Sequence, residues 1–130
     1  MAEHPNAELF RRGYTAFQTG DLDTVRSLFA DDIKWHSPGT GKFSGTRKGA
    51  DDTIALFLQQ FEESGGTFKV ETHVILANDE HAMVLGTWSA QREGRSASSN
   101  YTHVVHVAGG KISESWIFDE DPAKSDAFWG

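Results

Sequence analysis

Residues 97–118 read ASSNYTHVVHVAGGKISESWIF, two runs of β-branched and aromatic residues joined by Gly109-Gly110. A Gly-Gly pair between alternating runs marks a two-residue hairpin, because both central positions of the favoured turn need positive φ. The spacing predicts antiparallel strands over 97–108 and 111–118, with Ala108 opposite Lys111, His103 opposite Trp116 and Tyr101 opposite Phe118. In that register Tyr101, His103, Val105, Val107, Ile112 and Trp116 share one face. Its composition, mostly apolar with one histidine, is that of a ligand pocket. The opposite face carries Thr102, His106, Ser113, Ser115 and Asp119. An unbroken strand points Asp119 away from His103, and a bulge before Asp119 would be needed to bring the two together.

Outward from the hairpin, a strand is predicted over 82–91, bounded by turns at 78–81 and Glu93-Gly94. Before it lies a strand over 67–77, with Phe68, Val70, Val74 and Leu76 on one face and Lys69, Glu71 and His73 on the other. The first 66 residues read differently. Asn6 caps a helix with Phe10, Tyr14 and Phe17 at helical spacing, ended by Gly20. Asp21 caps a second, with Leu22, Val25, Leu28 and Phe29 on one side. Asp31-Asp32 form a turn before a short strand over 33–37, closed by Pro38-Gly39, and residues 39–49 read as a loop. A third helix, capped near Asp51 or Asp52, buries Ile54, Phe57, Leu58 and Phe61, and Gly65-Gly66 ends it. Asp121-Pro122 opens a short terminal helix that carries Phe128 and Trp129 back onto the body.

With no internal repeat or linker, residues 1–130 read as one domain. Three helices followed by a strand meander make an α+β order: a curved, mostly antiparallel sheet wrapped around the helices as an open-ended cone. Both sheet faces are apolar, Val84 and Trp88 on one side of their strand and Met83 and Leu85 on the other. A face open to water would alternate, so a homodimer through the sheet is expected.

Nineteen acidic against twelve basic residues give a formal charge of −7, and the bases are scattered, which argues against nucleic acid. The absence of cysteine removes disulfides, thiol nucleophiles and cysteine-ligated metals. The longest apolar run, Ile54 to Leu58, is far below the roughly 20 residues of a membrane span. Met1 to Pro5 show no basic-then-apolar leader, so the expected location is cytoplasmic.

In its order of motifs the chain resembles the SnoaL-like branch of the nuclear transport factor 2-like superfamily. The resemblance rests on Thr19-Gly20-Asp21-Leu22-Asp23, Leu28-Phe29-Ala30-Asp31-Asp32-Ile33 and Trp35-His36-Ser37-Pro38-Gly39. Gly45-Thr46-Arg47-Lys48-Gly49, Gly109-Gly110-Lys111-Ile112, and Glu114 with Trp116 and Asp119 complete it. It implies the cone fold over nearly the whole chain. It leaves activity open, since that superfamily holds isomerases, cyclases, dehydratases, hydrolases and members without known catalysis. Ketosteroid isomerase uses an Asp base with a Tyr and a protonated Asp as oxyanion donors. Here the base position reads Ser37, the tyrosine position falls on Gly13 beside Tyr14, and the second acid falls on Thr102, or on His103 if the hairpin is one residue shorter. The latter keeps Val105 and Val107 at inward positions. Steroid isomerisation by that route is not implied, nor is the Asp–Arg–Asp arrangement of the epoxide hydrolases.

The candidate catalytic residues are His103 and Asp119. His103 is either a general acid/base or a buried neutral imidazole bonded to a neighbour. Asp119 is either a base or a turn acid in the run Asp119-Glu120-Asp121. Tyr14, Trp35, Trp88, Tyr101 and Trp116 are candidate ligand-binding residues, or plain core. His36 faces the pocket mouth or solvent. Metal is not expected: His103 and His106 sit an odd number of residues apart on one strand, and no His-Glu-x-x-His helix occurs. No dinucleotide fingerprint or nucleophile elbow is present either, so no cofactor is expected. The expected function is cofactor-independent proton-transfer chemistry on a small apolar molecule bearing a carbonyl, hydroxyl or epoxide. The alternative is a non-catalytic dimeric domain for ligand binding or association.

Overall fold

The computed structural model describes residues 3–130. Two helices, α1 (Pro5–Gln18) and α2 (Leu22–Ser27), are followed by two strands, β1 (Phe29–Ser37) and β2 (Gly45–Lys48), and then by a third helix, α3 (Ala50–Glu63). The meander β3 (Lys69–Ala77), β4 (His81–Arg92), β5 (Arg95–Ala108), β6 (Lys111–Asp119) follows, and α4 (Pro122–Trp129) closes the chain. The six strands form one curved, unclosed sheet in the order β2-β1-β6-β5-β4-β3, antiparallel except where β1 lies parallel to β6. This is the expected α+β cone. Its core holds Phe10, Ile33, Trp35, Phe57, Val84 and Val105, between the helices and the inner face of the sheet.

Asp21 and Asp121 cap α2 and α4 as expected, each accepting from the backbone N–H three residues on. Two other caps differ. α1 begins at Pro5, and the cap is His4, whose Nδ1 accepts from the Asn6 N–H at 3.0 Å. α3 begins one residue after Gly49, which takes φ 94°, so Asp51 and Asp52 fall in the first helical turn, where they suit the positive end of the helix dipole. β1 starts at Phe29, opposite Ile112 of β6, and runs through Asp31-Asp32, where its register with β6 is interrupted before resuming at Lys34; β2 forms inside the expected loop by pairing with β1. Leu58, expected on the buried side of α3, is 55% exposed; Phe57 is buried there as expected, with Thr53 and Leu56 beside it.

The larger corrections are two bulges. Gly109 and Gly110 make the expected turn, with φ of 59° and 76°, and Ala108 pairs with Lys111. One residue later the register shifts: Val107 pairs with Ile112 but His106 pairs with Glu114, leaving Ser113 as an extra residue. From there His103 lies opposite Ile117 and Tyr101 opposite Asp119, not Trp116 and Phe118. Because side chains alternate, one inserted residue exchanges the faces of everything beyond it. Ser115, Ile117 and Asp119 turn inward, and Trp116 and Phe118 turn outward. In β3 a second shift, between Thr72 and Val74, places Val70 and Ile75 inward and Val74 and Leu76 outward.

Candidate functional site

The cone encloses a cavity of about 140 Å³. That is close to the roughly 150 Å³ cavity known to accept a benzene ring. α1 contributes Phe10 and Tyr14, β1 contributes Trp35, and α4 contributes Trp129. The sheet supplies Trp88, Tyr101, His103 and Asp119. Ser37, Lys42 and Ser44 with Ser125 and Asp126 make the mouth, between the β1–β2 loop and α4. Asp126 ties these two parts together, accepting from the Thr40 N–H at 2.8 Å and from Ser44 Oγ at 3.3 Å. Its carboxylate lies against Gly39 and Gly41, where a Cβ would come within 2.4 and 2.8 Å of it, so a larger residue at either position would push the carboxylate aside.

Four polar side chains run as a chain through the apolar interior. Tyr101 Oη lies 3.0 Å from Tyr14 Oη, Tyr14 Oη lies 2.8 Å from His103 Nδ1, and His103 Nε2 lies 2.5 Å from Ser115 Oγ. Tyr14 stands on α1 one turn beyond Phe10, and both rings meet the imidazole edge-on. Trp35 covers it from β1, ring centroids 4.9 Å apart. This enclosure strips water from the ring and pushes the His103 pKa down to about 3. Burial likewise lifts Tyr101 to about 12 and Tyr14 well above the ordinary tyrosine range. At neutral pH the chain is uncharged. His103, with both nitrogens engaged by protein groups, is a neutral imidazole.

Asp119 reaches the same wall because of the bulge at Ser113. Trp88 Nε1 donates to its Oδ2 at 3.0 Å; Ser99 Oγ and the Asp121 N–H donate to Oδ1 at 2.7 and 2.9 Å. Oδ1 is thus filled, and Oδ2 keeps one lone pair. Tyr101 sits directly across the β5–β6 ladder from Asp119, and both side chains line the cavity. On its other flank Tyr101 pairs with Gly86, where a Cβ would lie 2.9 Å from the Tyr101 Oη and 2.7 Å from the Glu71 carbonyl oxygen. Only glycine leaves this space for the phenol.

Of the candidate residues, the structure gathers Tyr14, Trp35, Trp88, Tyr101, His103 and Asp119 around one cavity. Trp116 is not among them. It lies on the outer face, stacked on His36 at 5.8 Å, because Ser113 shifts its phase. His36 faces outward too, bonded to Glu114 and Thr46. Trp129 lines the cavity, whereas Phe128 packs behind it against Trp88. Sequence reasoning missed Ser115, Ser99 and Gly86. One signal was present: unbroken alternation from Ile112 would have sent Glu114 inward among apolar residues, a conflict that one extra residue resolves. Among the described residues no three His, Asp or Glu side chains converge as a metal site.

Residues 10–115 match the SnoaL-like domain. The chain belongs to the SnoaL-like domain family. An uncharacterized protein of Mycobacterium tuberculosis is 30% identical to this SnoaL-like domain over 130 residues, covering 99% of each chain. Among solved structures, Bal32a from a soil-derived mobile gene cassette superposes with a TM-score of 0.94 at 31% identity, covering 97% of both chains. A nuclear transport factor 2-like protein of unknown function from Burkholderia pseudomallei gives 0.82 at 25% identity, over 97% of this chain and 98% of its own. The cone of this SnoaL-like domain is therefore the nuclear transport factor 2-like fold. No helix among the described residues is long and apolar enough to cross a membrane.

Proposed function

We propose that this SnoaL-like domain is a cofactor-independent enzyme that moves a proton on a small, largely apolar molecule held in the cone. The observation that carries this reading is the pairing of Tyr101 with Asp119 on one wall of an aromatic cavity. Asp119 Oδ2 takes a proton from a carbon next to a carbonyl. The electron pair moves onto the carbonyl oxygen, Tyr101 donates a hydrogen bond to it, and the proton returns to carbon from Asp119. Burial keeps both tyrosines protonated, so Tyr101 has a proton to donate at neutral pH. Whether the turnover ends as isomerisation, cyclisation or loss of water depends on the substrate's other groups.

The test is hydrogen exchange of single-ring ketones in deuterated water, followed by proton NMR. Asp119→Asn should slow exchange by about 10²- to 10⁴-fold, the usual worth of a positioned base. Wild-type exchange no faster than the variant's would defeat the reading and leave a non-catalytic ligand-binding or association domain.

The same proposal includes a homodimer through the outer face of the sheet. Two apolar rows cross it: Leu76, Met83, Val104 and Trp116, then Val74, Leu85, Thr102 and Phe118, each member paired with the next. Phe118 and Leu76 are 58% and 56% exposed. A second copy can meet these rows with its own across a two-fold axis.

A further inference from the structure

Each member of the chain Tyr101–Tyr14–His103–Ser115 is a donor and an acceptor at once. A neutral imidazole carries one N–H, so only two arrangements keep every internal link of the chain hydrogen-bonded in a single direction. With the proton on Nε2, the ring donates to Ser115 and accepts from Tyr14, Tyr14 accepts from Tyr101, and Tyr101 turns a lone pair to the cavity. With the proton on Nδ1, Ser115 donates to the ring, the ring to Tyr14 and Tyr14 to Tyr101, and Tyr101 turns its O–H to the cavity. Both arrangements hold the same four protons and no net charge. Which one prevails is decided at the exposed end, by what the bound molecule offers to Tyr101.

We propose that the His103 tautomer sets the hydrogen-bond polarity of Tyr101, so that the cavity accepts both the carbonyl and the hydroxyl form of a neutral, single-ring molecule. This rests on the function proposed above and names its substrate class. When Asp119 passes the proton it took from carbon to the enolate oxygen, that oxygen turns from acceptor to donor as the enol, and the chain, keeping its four protons, can follow it without burying a charge. Anionic ligands are excluded: Asp119 stands in the cavity wall, and Lys42, at the mouth, is paired with Glu63. His103 is in this account a positioning residue, acting on the ligand through the two tyrosines.

Nitrogen-15 NMR of histidine-labelled protein tests this, with cyclohexanol and cyclohexanone as probes and the Trp88 indole N–H signal reporting binding. The expected result is an Nε2–H ring with cyclohexanol and an Nδ1–H ring with cyclohexanone, the two nitrogens exchanging their shifts. If both probes move the Trp88 signal while the tautomer stays the same, or if the ring is doubly protonated, the proposal falls and the proton-transfer reading stands. If neither probe moves any cavity resonance, both fall. Tyr14→Phe, which cuts the chain and keeps the ring, should abolish the His103 response while the Trp88 response persists. A response that survives this substitution also overturns the proposal.

Discussion

The indole N–H of Trp88 on β4 and the carboxylate of Asp119 at the end of β6 are 3.0 Å apart, although β5 separates their strands. The contact passes over Ser99, which pairs with Trp88 and donates to the other carboxylate oxygen. Three strands thereby fix one acid.

Trp88→Phe keeps the ring in the cavity wall and removes the donor. Loss of this hydrogen bond to a charged group should cost about 1.5–3 kcal/mol of unfolding free energy in urea titration. In a double-mutant cycle with Asp119→Asn the two changes should cost clearly less together than their sum. Simple additivity would mean that the bond carries no energy.

His103 gives stability a pH dependence of known sign. The unfolded ring takes a proton below its ordinary value of 6.5, while the folded ring refuses it down to about 3. The unfolded state therefore binds more protons across that window, and stability falls as the pH falls through it, by up to about 1.4 kcal/mol per pH unit. Denaturant unfolding near pH 7.5 and about pH 5 should differ by about 2 kcal/mol from this residue alone. His103→Gln should lose that part of the difference, and an unchanged difference would refute the assignment.

Gly86→Ala places a methyl group against the Tyr101 phenol and the Glu71 carbonyl. Overpacking of this kind costs about 1–3 kcal/mol, visible as a lower midpoint in thermal unfolding. Tyr101 must also shift, so ketone exchange should slow even at temperatures where the variant is fully folded.

Asp126→Ala removes the tie between α4 and the β1–β2 loop. Proteolysis should then cut first within residues 38–44, while global stability changes little, because the Thr40–Asp126 bond lies at the surface and Phe43 keeps its place against Trp129. Equal protection in wild type and variant would show that the tie does not hold the mouth.

Phe118→Glu and Leu85→Lys each place a charge in the outer apolar rows. Light scattering should report half the wild-type mass, with an unchanged circular dichroism spectrum. A wild-type monomer at high concentration would remove the homodimer from the proposed function.

The fold was legible because its signals are local: Gly109-Gly110 for the hairpin, Asp21 and Asp121 for caps, and Phe10, Tyr14 and Phe17 for the first helix. β2 was not, since Gly45–Lys48 has no strand pattern of its own and exists by pairing with β1. The site was half legible. Residue types pointed to His103, Asp119 and the two tyrosines, but the partner of His103 is Ser115, which alternation had put on the wrong face. A bulge is set by how a strand meets its neighbours, here Ser113 bonded back to His106, and a single strand's periodicity does not carry it.

Ser113 therefore makes strand length, and not residue identity, the variable that writes the character of the pocket. Removing that one residue would deliver Trp116 into the cone and export Asp119, trading an acid for an indole without touching either codon. Relatives whose hairpins differ by a single position could hold the same side chains in the same order and yet enclose opposite chemistries. Within this architecture an insertion or deletion in the last strand is a larger functional step than any substitution in the cavity wall.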